Sequence, residues 1–242
     1  MSVFHPMQSH PERAINVLTT LYQMLKDRGY TLDPPFDQDT PRLLMKPDSI
    51  VSAAQHYTNE NIVMSGWRWK QSNDDISMNE TKEKKKEMIQ VKVWFDSKTK
   101  IESIRALNKI YEQEYQSFMQ QKTHTMTKLL LVVQSITKAG ILLFEQSKKY
   151  MEYALESYFY RNKSLHSLVP PKNKIVLLNK KQVHDVLTLY KTTSDKIMNL
   201  PENDPIAKYY GFEVGNILKI TFNFDSTLEE IVQYFRVSNR TK

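Results

Sequence analysis

At 242 residues, with 40% hydrophobic and 25% charged residues, the chain has a globular composition and room for two domains or one large one. Its net charge of +7 is not gathered into one arm, so a polyanionic partner is permitted but not demanded. The absence of cysteine excludes disulfides, thiolate metal sites and thiolate nucleophiles, and no apolar run reaches the ~18 residues of a membrane helix.

In chain order, Pro11 to Gly29 predicts a helix, because Ala14, Val17, Leu18, Leu21 and Leu25 share one face and Gly29 follows its end. The opening Met-Ser-Val-Phe-His-Pro6 lacks a charged-then-apolar signal pattern, and an intracellular protein is expected. Prolines 34, 35, 41 and 47 make Thr31 to Asp48 a linker or surface loop. Asn61 to Trp69 reads as a strand, with Val63, Ser65, Trp67 and Trp69 on one side. Lys70 to Glu87 is polar and reads as an exposed loop, its run Lys82-Glu-Lys-Lys-Lys86 a solvated one. Met88 to Phe95 alternates, as a strand with one wet face does, setting Val91, Val93 and Phe95 against Gln90, Lys92 and Trp94.

Ser97 to Gln121 carries Ile101, Ile104, Leu107, Tyr111, Tyr115 and Phe118 at helical spacing and predicts an amphipathic helix. Lys128 to Gln134 is apolar on both faces, as in a strand covered on both sides by βαβ crossovers. A helix is expected over Thr137 to about Tyr150, presenting Ile141, Leu142, Phe144 and Tyr150, and an aromatic strand over Glu152 to Tyr160. Leu168-Val-Pro-Pro171 reads as a hinge, since adjacent prolines stiffen the chain and exclude helix. A strand at Lys174 to Leu178, a helix at Lys180 to Tyr190 and a last strand near Ile231 to Val237 follow.

The densest local signal is Asp204-Pro-Ile-Ala-Lys-Tyr-Tyr-Gly-Phe-Glu-Val-Gly-Asn-Ile-Leu-Lys-Ile220. Asp204 is a good N-cap, Pro205 suits the first helical position, and Gly211 can take the left-handed conformation that stops a helix. Gly215 then supports a turn into a strand that alternates as half-buried strands do. Two of the chain's five glycines fall here. Tyr209 and Tyr210, successive on a helix, point about 100° apart, so one can fill a core while the other faces outward.

Catalytic motifs are not assembled: there is no G-x-S-x-G, no phosphate-cradling glycine loop and no H-E-x-x-H. His166 and His184 read as surface or structural histidines. The enzyme alternative is a metal-dependent nuclease, with Asp74 and Asp75 before a strand holding Gln90 and Lys92. Such chemistry wants several converging oxygen ligands and a lysine to activate water. Here Gln90 stands where a second carboxylate is needed, so the pattern is degenerate.

The stretch DPIAKYYGFEVGNILKI resembles the assembly-domain signature of the fifth common subunit of eukaryotic-type DNA-directed RNA polymerases, a signature shared with its archaeal and viral homologues. Asp27-Arg-Gly-Tyr30 resembles the close of that family's first helix. Leu129-Leu-Leu-Val-Val-Gln-Ser-Ile-Thr137 resembles the central strand of its jaw and the turn after it, and His166-Ser-Leu-Val-Pro170 its hinge. The resemblance implies an α/β N-terminal jaw domain with a mixed sheet and flanking helices over residues 1–169, of which 31–95 is variable and loop-rich. A small α+β C-terminal assembly domain would occupy 170–242.

By the same resemblance the chain is a non-catalytic polymerase subunit with no cofactor, no small-molecule substrate and no membrane role. Asp204, Pro205, Ala207, Tyr209, Tyr210, Gly211 and Gly215 are expected to dock on the largest subunit, beside neighbouring subunits. Ser135, Thr137 and Lys138 are expected to contact downstream double-stranded DNA without sequence preference.

Three departures from the pattern stand out. Lys138 replaces the family's usual proline. The strand to Ile220 runs into Thr-Phe-Asn-Phe-Asp-Ser-Thr227, so its following loop differs. The proline before the Asp204 cap is shifted, in Ile197-Met-Asn-Leu-Pro201. With the long variable region, these departures point to a large DNA virus or a fast-evolving lineage. Location would be virion and host cytoplasm if viral, the nucleus if cellular.

Overall fold

Leu129 to Val133 are five successive apolar residues, and all five are fully buried. They lie in β4 (Thr125–Val133), which pairs in parallel on one side with β3 (Lys86–Trp94) and on the other with β5 (Met151–Leu155). The computed structural model describes residues 10–33, 62–69, 86–94, 101–121, 125–161, 174–223 and 230–239. The chain forms two units, each with its own sheet.

In the first unit the sheet order is β1-β2-β3-β4-β5, with β1 (Thr31–Leu32) and β2 (Ile62–Trp69) antiparallel to their neighbours. The crossover from β3 to β4 holds α2 (Ile101–Gln121), and that from β4 to β5 holds α3 (Lys138–Gln146). Leu129, Leu131 and Val133 pack with Ile104 and Tyr111 of α2 and Phe144 of α3. Leu130 and Val132, alternating with them, point to the opposite face. Helix α1 (His10–Asp27) buries Val17, Leu18, Leu21, Met24 and Leu25, and packs against β1 and α4 (Glu156–Arg161).

Two charged clusters tie α1's end to the sheet. Arg28 Nη1 lies 2.7 Å from Glu152 Oε1, while Lys128 Nζ lies 3.4 Å from the other oxygen. Arg68 Nε reaches Glu87 Oε2 at 2.6 Å, and the Tyr30 hydroxyl donates to the same oxygen at 3.1 Å. Burial alone would raise the Glu152 carboxyl, but Arg28 and then Lys128 outweigh it and hold it down at about 2.

The second unit has sheet order β6-β8-β9-β7, formed by β6 (Lys174–Leu177), β8 (Ile217–Asn223), β9 (Glu230–Ser238) and β7 (Met198–Pro201). β7 runs parallel to β9 and the other pairs are antiparallel. Leu200, Ala207, Leu218 and Val237 form the core, with Phe212 and Phe235 against it. α5 (Lys180–Leu189) opens on a capping box between Asn179 and Gln182. α6 (Pro205–Tyr210) connects β7 to β8.

Several expectations are corrected. The strand foreseen over Glu152 to Tyr160 stops at Leu155, because its partner β4 ends at Val133, and the chain turns into α4. That helix buries Phe159 completely, so packing overrides the β-preference of aromatics. The helix foreseen to Tyr150 ends at Gln146; Tyr150 is buried in the turn beyond it, and Leu142 faces solvent at 58% exposure. Glu87 is buried in β3 rather than exposed in a loop, paired with Arg68. The supposed wet face of β3 is half-buried: Tyr111 of α2 donates to Gln90 Oε1. Thr31 and Leu32 form a short strand instead of opening a loop. The 3₁₀ turn Ser194–Lys196 and β7 had no counterpart in the sequence reading. The hinge Leu168 to Pro171, the run Lys82 to Lys85, Phe95 and the altered loop from 224 to 227 lie outside the described residues.

Candidate functional site

In the second unit, α6 is defined at both ends by the local chemistry of its sequence. Asp204 Oδ1 accepts from the Ile206 N–H at 2.8 Å, and Pro205 takes the first helical position. At the other end Gly211 sits at φ 67°, ψ 36°, the left-handed region where a Cβ is penalised. Its N–H donates to the Lys208 carbonyl at 3.2 Å, and the Phe212 N–H to that of Ala207 at 2.9 Å. This pair of bonds is the Schellman closure, and with it the half-buried Phe212 packs against the core cluster that holds Ala207.

The chain then makes a second tight turn. Glu213 N–H donates to Asn216 Oδ1 at 2.8 Å, and Gly215, at φ 93°, donates to the Val237 carbonyl at 2.9 Å. Val237 N–H returns a bond to the Asn216 carbonyl at 2.9 Å. The turn is thereby fixed to β9 through its backbone, while Gly211, Glu213, Val214 and Gly215 stay exposed. A rigid, solvent-facing projection results.

The sequence-predicted residues divide here into two sets. Pro205, Gly211 and Gly215 are exposed, and Asp204 and Tyr210 are half-buried. Ala207 and Tyr209 are buried, at 1% and 3% exposure, and Ala207 belongs to the unit's core. Tyr210 stacks on Phe212 with centroids 5.3 Å apart and planes within 12°. Tyr210 also meets the buried Tyr209 ring edge-to-face, with centroids 5.1 Å apart. Val214, at 46% exposure, is a surface residue that the sequence reading missed. An apolar side chain between Glu213 and Gly215, inside a turn, was the available signal.

The second candidate lies in the first unit, where β4 hands over to α3. Ser135, Thr137 and Lys138 are all exposed. Thr137 is the N-cap of α3, its Oγ1 accepting from the Gly140 N–H at 3.2 Å. That bond uses a hydroxyl lone pair and leaves the O–H donor of the capping group for an acceptor such as a phosphate oxygen. Gly140 was also missed: a Cβ there would come within 2.8 Å of Ile136 Cγ1, so glycine permits the tight packing under the turn.

Of the residues that the nuclease alternative names, Gln90 and Lys92 are among those described. Gln90 accepts from Tyr111, whose phenol burial pushes up to about 12, so the amide is held by the core. Lys92 is half-buried on the same face; Asp74, Asp75 and His166 lie outside the described residues. His184 is exposed on α5. Among the described residues no group of three or more His, Asp or Glu could hold a metal, and no helix is long and apolar enough to cross a membrane.

The family model described as RNA polymerase Rpb5, C-terminal domain, matches residues 161–237, which contain the whole second sheet but its last residue. Over 86% of the chain and 89% of the relative, the sequence is 28% identical to the DNA-directed RNA polymerases I, II, and III subunit rpabc1 of Dictyostelium discoideum. Residues 161–237 belong to the Rpb5 C-terminal domain family. The corresponding subunit RPABC1 of Caenorhabditis briggsae is 26% identical over 86% of this chain and 88% of its own length. Subunit 5B of RNA polymerases IV and V from Arabidopsis thaliana is 32% identical over 47% of this chain and 50% of the relative. The first two matches extend well beyond the C-terminal domain, so the Rpb5 likeness includes the five-stranded unit as well.

Proposed function

We propose that this chain is a non-catalytic subunit of a multisubunit DNA-directed RNA polymerase, with a jaw over residues 1–169 and an assembly domain over 170–242. The assembly domain docks on the largest subunit through the projection that follows α6. Pro205, Tyr210, Gly211, Val214 and Gly215 make the contact, and Ala207 and Tyr209 support it from the core. The jaw approaches downstream duplex DNA with Ser135, Thr137 and Lys138, without reading bases. Nucleotide addition belongs to other subunits, and the setting is intracellular, with the DNA template.

The observation that carries the docking reading is the backbone geometry of the turn. Two left-handed glycines and a set of closed backbone bonds hold a mostly exposed segment rigid. Preorganised segments bind without a further ordering cost. Affinity purification of the tagged full chain from native source should recover the two large polymerase subunits in stoichiometric amount. Tyr210→Ala should lower that recovery while leaving the chain folded. Undiminished recovery would remove Tyr210 from the interface, and absence of the large subunits from the wild-type eluate would remove the function.

A further inference from the structure

The sheet of the second unit ends at β6, beyond which no strand lies among the described residues. In its antiparallel ladder with β8, Leu178 N–H donates to the Ile217 carbonyl at 3.0 Å, which sets the phase of the pairing. Alternate residues of an antiparallel strand point their backbone groups to opposite sides. Lys174 and Val176 therefore bond inward to β8, while the N–H and C=O of Ile175 and Leu177 point outward. An outward donor–acceptor pair on residues two apart is the pattern that an added strand completes.

The side chains around this edge say what kind of strand. Leu177 is 40% exposed. Lys174, Lys180 and Lys181 are all exposed, and no acidic residue stands in the first turn of α5. Lysine in a first turn opposes the helix dipole, so the two there are unfavourable for the helix by itself. Lysine on an edge also repels a second copy of the same edge. Complementarity is with an apolar strand that carries carboxylates.

We propose that the β6 edge accepts an extended acidic segment of a partner protein as an added strand, its carboxylates meeting Lys174, Lys180 and Lys181. A nucleic-acid backbone is the poorer fit, because phosphodiesters only accept hydrogen bonds and the edge offers acceptors as well as donors. The inference does not rest on the docking reading.

The test titrates the full chain with a fluorescent peptide of about ten alternating Glu and Val residues, and with oligothymidylate of matched charge. Amide exchange then reports where the probe sits. Binding of the peptide should slow exchange at Ile175 and Leu177. Lys180→Glu with Lys181→Glu should weaken it about tenfold or more. Leu177→Pro should weaken it likewise, since it removes one outward donor and no bond of the protein's own ladder; circular dichroism checks that the sheet is retained. Tyr210→Ala should bind the peptide normally, which separates this site from the proposed docking surface. Any of four outcomes would overturn the proposal: no peptide binding, binding without protection of those two amides, indifference to Leu177→Pro in a folded protein, or tighter binding of the oligonucleotide.

Discussion

Replacing Glu152 with Gln puts the buried charge cluster of the first unit to a quantitative test. The carboxylate takes Arg28 at 2.7 Å and Lys128 at 3.4 Å, and the Arg28 side chain is only 6% exposed. In the folded chain the group titrates at about 2 instead of its ordinary 4.5. At about 1.4 kcal/mol per tenfold change, that difference corresponds to about 3 kcal/mol of stability. The sign follows from the direction: with the folded value depressed, the contribution is complete above pH 4.5 and disappears as pH falls towards 2. Glu152→Gln should therefore cost about 3 kcal/mol near neutral pH, with the stranded guanidinium adding to it. The assay is urea unfolding of both proteins at about pH 7 and about pH 3, where the stability gap should shrink by roughly half. A gap that is the same at both values would refute the electrostatic account, and no gap at all would refute the role of the cluster.

The remaining predictions concern the turns. Asp204→Ala should lower the unfolding free energy of the second unit by about 1 kcal/mol through loss of the helix cap, and Asp204→Asn should restore most of it. Gly140→Ala should destabilise the first unit by about 1–3 kcal/mol, since the new Cβ meets Ile136 at 2.8 Å; a neutral result by thermal melting would mean that the isoleucine swings aside freely. Lys138→Ala should reduce the slope of log affinity against log salt for downstream duplex by up to about one in the assembled enzyme, and an unchanged slope would remove Lys138 from the DNA surface.

Much of the fold was legible where one physical signal dominated. β4 announced itself because five apolar residues in a row leave no wet face, and the structure covers both. α6 was readable to the residue because Asp204, Pro205 and Gly211 act through backbone geometry that no distant contact alters. The readings failed where tertiary partners decide. Glu87 looked like loop because its neighbours are charged; only Arg68 and Tyr30, distant in sequence, make its burial tolerable. The length of β5 was set by the end of β4 rather than by its own aromatic residues. Ala207 and Tyr209 matched the signature as well as Gly211 did, yet spacing alone could not tell core from surface along a helix of six residues.

That division within the signature bears on how the second unit works. Its core centres on Leu200, Ala207, Leu218 and Val237, with Phe212 and Phe235 packed beside them. Units of this size bury a modest share of their surface and retain little stability in reserve. Ala207 belongs to that core and also holds the closure that shapes the projection, because the Phe212 N–H bonds to its carbonyl. A lesion beneath the projection, such as Ala207→Gly, therefore weakens the fold and misplaces the proposed docking turn together. A lesion on it, such as Val214→Ser, leaves the buried contacts alone, so the two substitutions separate loss of structure from loss of docking.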